Sequence, residues 1–68
     1  MKDWIMIYKV SDLVDATIMK GMLEENQIPV QILNKKDSSY LTFGYIELYV
    51  PVTFKELAEG LVKQSLLN

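Results

Sequence analysis

The chain has no cysteine and no histidine, and all seven of its basic residues are lysine. Without cysteine no disulfide can staple the fold, and without a Cys/His set there is no structural zinc site. The missing histidine removes the commonest general base, and the missing cysteine removes one of the two commonest nucleophiles. Positive charge is also short: seven lysines against nine Asp/Glu leave a formal charge of −2. Proteins that grip nucleic-acid phosphates normally carry a basic stripe, so this balance argues against one. No apolar run approaches the ~18–20 residues that span a bilayer. The opening Met1-Lys2-Asp3-Trp4 lacks the apolar core and cleavage site of a signal peptide. These absences point to a cytoplasmic, non-enzymatic chain with no membrane contact, no cofactor and no metal.

What is present suits one small domain, residues 1–68, with half of its residues apolar. A domain of this length buries only about 60 % of its unfolded surface, so its stability margin is thin. Association with a second copy is a common remedy.

Tyr45-Ile46-Glu47-Leu48-Tyr49-Val50-Pro51 carries the cleanest period-2 alternation, with Ile46, Leu48 and Val50 on one side. It is the expected central strand. Trp4–Val10, aromatic and β-branched without Gly or Pro, reads as the first strand. Ser11-Asp12 then supply an N-cap, with Asp15 in the first turn, for a helix over Asp12–Asn26. Its expected buried stripe is Ala16, Met19 and Leu23 together with Ile18 and Met22.

Ile28-Pro29 forces an extended continuation, so Ile28–Asn34 reads as the second strand. Pro29 cannot donate to a ladder. The strand therefore lies at an edge, or Pro29 sits just before the paired region. A long connection, Asn34–Gly44, leads to the central strand, which part of Tyr40–Phe43 would extend. After it, Thr53 with Glu56 fits a capping box, and Val52 with Leu57 a hydrophobic staple. The second helix then runs to about Leu66 and buries Phe54, Leu57, Ala58, Leu61 and Val62.

The order β-α-β-β-α predicts an α+β, ferredoxin-like split βαβ fold: a three-stranded antiparallel sheet with two helices on one face. The usual fourth strand beside the first has no sequence left to form it. The first strand is then an open edge, and the sheet face away from the helices is uncovered. If Ile5, Ile7, Val30, Ile32, Ile46, Leu48 and Val50 face the helices, that open face carries Trp4, Met6, Tyr8, Leu33, Tyr45 and Tyr49. An apolar patch of this kind marks an interface or a ligand surface. The candidate interface residues are Trp4, Met6, Tyr8, Tyr45 and Tyr49, and a homodimer is the expected assembly.

With these elements placed, the chain resembles the putative prokaryotic signal-transducing protein family, a group of small domains of unknown function. The resemblance rests on Trp4 in the opening strand, Asp12 and Ala16 of the first helix, and the run Leu23-Glu24-Glu25-Asn26-Gln27-Ile28-Pro29-Val30. Val50-Pro51 and Ala58 continue it. It implies a ferredoxin-like fold related to the PII nitrogen-regulator proteins, and it brings no catalytic residues. By fold analogy it also implies that the Asn34–Gly44 loop contacts a partner protein. Lys35, Lys36, Tyr40 and Phe43 are the candidate contact residues there. The nucleotide-contacting sequence of PII proteins is not seen, so ATP binding is not expected.

Competing sites carry less. Ser38 and Ser39 have only Lys35, Lys36 and Asp37 nearby, as in an ordinary solvated loop. The pairs Asp12/Asp15 and Glu56/Glu59 suit helix first turns, and Glu24/Glu25 suits a wet helix end. Phe43-Gly44-Tyr45-Ile46-Glu47 resembles part of the RNP1 motif of RNA-recognition domains, which would make Phe43 and Tyr45 a base-stacking pair. Leu41 and Thr42 stand where Lys/Arg and Gly belong, Leu48 replaces an aromatic, and Met6 takes the first strand's aromatic position. A small-ligand sensor similar to ACT domains is the second reading, with its ligand at an inter-subunit seam. RNA binding is the third.

Overall fold

In the computed structural model, residues 2–36 and 44–67 are described. The elements run β1 (Trp4–Val10), α1 (Leu13–Glu25), β2 (Gln31–Asn34), β3 (Ile46–Pro51), a 3₁₀ turn (Val52–Phe54) and α2 (Lys55–Leu67). The sheet order is β1-β3-β2, with β3 antiparallel to both neighbours. Hence β1 and β2 run parallel, split by β3, in the α+β arrangement that the sequence predicts. The alternation in β3 makes this possible. Ile46, Leu48 and Val50 are fully buried, and Glu47, Tyr49 and Pro51 between them are only half-buried.

Both helices cover the Ile46/Leu48/Val50 side. Ala16, Met19 and Leu23 of α1 and Ala58 and Val62 of α2 join those strand residues and Ile28 in one core. Each fully buried Leu, Ile or Val contributes on the order of 2 kcal/mol of apolar burial.

Asp12 caps α1, its side chain accepting from the Val14 N–H at 2.8 Å. At the other end Asn26 is the C-cap, and Gln27 takes a left-handed conformation, φ 66°. The Gln27 N–H donates to the Glu24 carbonyl at 3.0 Å and the Ile28 N–H to the Leu23 carbonyl at 3.1 Å. That is the Schellman pattern, and its usual apolar pair is Leu23 with Ile28, both in the core. Ile28 is thus spent on closing the helix. The second strand starts at Gln31 rather than Ile28, and Pro29 precedes the paired region.

Four expectations change. Ile18 is 64 % exposed, not part of the buried stripe. At about 100° per residue it lies well round the helix from Ala16, Met19 and Leu23. Leu57, expected in the core, is 53 % exposed. The expected capping box at Thr53/Glu56 gives way to the 3₁₀ turn, which starts directly after Pro51 and has no side-chain cap. Thr53 inside that turn cannot adopt the extended conformation of an N-cap, and Val52 is 50 % exposed. The cause is the sheet edge: the Val52 N–H still donates to the Asp3 carbonyl at 2.9 Å, and the chain turns at once beyond it.

The fourth change concerns Tyr8. The β1/β3 register steps from Met6↔Tyr49 to Tyr8↔Leu48, which leaves Ile7 as the extra residue of a β-bulge. Beyond it the strand faces are exchanged. Tyr8 and Val10 pair with the buried Leu48 and Ile46 and pack on the core, while Lys9 pairs with Glu47 on the open side.

At the start of the Asn34–Gly44 connection, the Lys35 N–H donates to the Tyr45 carbonyl at 2.8 Å, and Asn34 Oδ1 accepts from the Lys36 N–H at 2.9 Å. Gly44 closes the far end at φ +100°, where a Cβ would lie 2.6 Å from the Lys35 carbonyl oxygen. Only glycine fits there.

Candidate functional site

The sheet face opposite the helices is the candidate site. Cross-strand partners share a face, so the register lays out its rows. Trp4 stands opposite Pro51, Met6 beside Tyr49 and Gln31, and Lys9 beside Glu47 and Leu33. No described element lies over these rows. Met6 is 41 % and Tyr45 49 % exposed, while Trp4 and Tyr49 are half-buried. Of the five candidate interface residues, Trp4, Met6, Tyr45 and Tyr49 thus lie at this surface. Tyr8 does not, because the bulge turns it inward.

A polar centre runs through the apolar rows. The Tyr49 hydroxyl donates to Glu47 Oε1 at 3.0 Å. Lys35 Nζ approaches the same oxygen at 3.7 Å. Lys9 Nζ lies 4.5 Å from the centre of the Tyr45 ring, a cation–π contact. The hydrogen bond to Glu47, then desolvation, then repulsion by the same carboxylate raise the Tyr49 phenol above its ordinary value. The neutral phenol is therefore the form this face holds. A signal was available: Glu47 and Tyr49 are two apart on one strand and so must be neighbours on one face.

Of the candidate loop residues, Lys35 reaches back to the sheet through Glu47, and Lys36 is half-buried beside the Asn34 turn. Tyr40 and Phe43, like Ser38 and Ser39, lie outside the described residues. So do Leu41 and Thr42, whereas Gly44-Tyr45-Ile46-Glu47 of the RNP1-like stretch are described. A hollow of about 230 Å³ lies elsewhere, between the C-terminal ends of α1 and α2, lined by Met22, Asn26, Leu61, Gln64 and Ser65. Among the described residues no group of His, Cys, Asp or Glu is placed to hold a metal ion, and no helix is long and apolar enough to cross a membrane.

A sheet of this order with one bare face defines a small α+β domain of the split-βαβ type. The family described as "Putative prokaryotic signal transducing protein" matches residues 4–62, and the chain belongs to it. No curated protein and no solved structure matches the chain.

Proposed function

We propose that the chain is a non-enzymatic regulatory or protein-interaction module of the cytoplasm, serving signal transduction, that pairs with a second copy through its open sheet face. The observation that supports this is the one-sided cover of the sheet. Trp4, Met6, Tyr45 and Tyr49 are left on the other side, with β1 as an edge that no described strand pairs. Apolar surface of that kind favours association because water is released from it. The Asn34–Gly44 loop, starting at Lys35 and Lys36, is then the part offered to another protein.

The two competing readings have weaker support. The hollow between α1 and α2 is remote from any seam built on the open face. For RNA, a carboxylate at the centre of the face repels phosphate, and Lys9 covers the ring of Tyr45.

Light scattering across a concentration series tests the reading. Wild-type protein is expected to exceed the monomer mass at high micromolar concentration. Trp4→Glu and Tyr45→Glu are expected to return it to monomer with unchanged helical circular dichroism. A wild-type monomer throughout that range would refute the proposal.

A further inference from the structure

Among the described residues, Lys9 is the charge on the open face that the fold leaves without a carboxylate. It is exposed, and it is the cross-strand partner of Glu47. Yet the described ion pairs join Lys20 to Glu24 and Lys35 to Glu47, and Lys9 leans over Tyr45 instead. Glu47, one strand away, has a side chain only 17 % exposed and is already oriented by Tyr49. A cation and a carboxylate thus stand side by side on one flat surface, each within reach of whatever docks there.

We infer that the second copy docks with its β1 over β3 of the first, so that Lys9 of each copy meets Glu47 of the other. The inference rests on self-association through the open face. Two in-plane two-fold axes keep the strands of a face-to-face pair aligned, and such an interface is isologous, residue i meeting j and j meeting i. An axis along the Lys9–Glu47–Leu33 row, across the strands, stacks each side chain of that row on its own copy. Lys9 would then face Lys9 and Glu47 face Glu47, an arrangement that like-charge repulsion disfavours.

An axis along the strands, between β1 and β3, exchanges those two strands. It brings Lys9 over Glu47 twice and sets Met6 against Tyr49 of the second copy. Both axes keep the stacked strands aligned, as sheets packed about 10 Å apart and about 30° askew prefer, so alignment does not separate them. The aromatic and Met side chains supply the buried area. The charges choose the register, which is the larger role of complementary charge at an interface.

Charge exchange between two populations tests the inference. Lys9→Glu alone sets two carboxylates against each other at both contacts, and Glu47→Lys alone sets two ammonium groups against each other at both. Each single variant is expected to raise the dimer dissociation constant by about tenfold or more. Mixed together, the two variants present only opposite charges across the interface, and the heterodimer is expected to form about as tightly as wild type. Sedimentation with one variant fluorescently labelled reads this directly.

Wild-type dimer with singles that associate normally, or a mixture that stays monomeric, overturns the register and leaves self-association standing. Wild type that never associates overturns both. If Glu47→Lys does not fold, Lys9→Gln and Lys9→Glu carry the test, since Lys9 is exposed. Association must then weaken in the order wild type, Lys9→Gln, Lys9→Glu, and any other order overturns the register.

Discussion

Glu47 shows how one side chain can give a sheet face its character. A carboxylate on a surface of aromatic residues is costly unless its oxygens are engaged, because partial burial strips away water. Here Tyr49 supplies a hydroxyl at 3.0 Å and Lys35 a cation at 3.7 Å, both at Oε1. The consequence is a pH dependence carried by Tyr49. Its pKa is raised in the folded protein above the 10.0 of the free phenol. The folded state therefore holds this proton more tightly than the unfolded chain does. That stabilisation is complete below pH 10.0 and is lost as pH rises through the folded-state value. Tyr49→Phe removes it, so the stability gap between wild type and variant should narrow on going to alkaline solution. Urea midpoints measured at stepped pH give the comparison, and a gap that does not change above pH 10 would contradict the assignment. Glu47→Gln should return the tyrosinate absorbance of Tyr49 toward the ordinary phenol range.

Among the elements, the C-terminus of α1 is where sequence and backbone disagree most usefully. Gln27 occupies a left-handed position, φ 66°, that glycine normally fills. The conformation costs a non-glycine residue about 1–2 kcal/mol, of which glycine's looser unfolded state would give back about 0.5–1 kcal/mol. Gln27→Gly is therefore expected to stabilise the protein by about 0.5–1 kcal/mol, raising Tm by roughly 2–8 °C. Gln27→Val, β-branched at the same φ, should lower it. A thermal melt of the two variants checks the sign of each.

The same stretch shows what the residues could and could not reveal. The Asp12 cap, the α1 stripe through Ala16, Met19 and Leu23, and the alternation of β3 are local patterns, and each is seen in the fold. The failures come where tertiary pairing overrides a local signal. Thr53-x-x-Glu56 has the composition of a capping box, but the Val52 bond to Asp3 forces the chain to turn immediately after Pro51. Nothing in Trp4–Val10 announces a bulge, because Ile7 is as good a strand residue as its neighbours. Yet that single extra residue decides that Lys9, not Tyr8, lies on the open face.

At the scale of the molecule the fold is a slab only 16 Å across its thinnest direction, one layer of sheet and one of helix. Strands about 4.8 Å apart, with residues about 3.3 Å apart along them, give the open face a projected area of roughly 300 Å². A stable interface takes about 800 Å² from each partner. The face alone therefore supports only a weak pair, whose population follows concentration, and the free edge of β1 in the described sheet is the remaining surface available to strengthen it. A weak pair stabilises its folded chains by mass action, since the unfolded chain has no such face. Above the dissociation constant, each tenfold rise in protein concentration adds up to about 1.4 kcal/mol per dimer, enough to move Tm by several degrees in a domain this small. Wild-type Tm should therefore climb between low and high micromolar protein, while that of Trp4→Glu stays level. Parallel, flat dependences for the two proteins would mean that the aromatic face is bare in solution because nothing of this chain covers it.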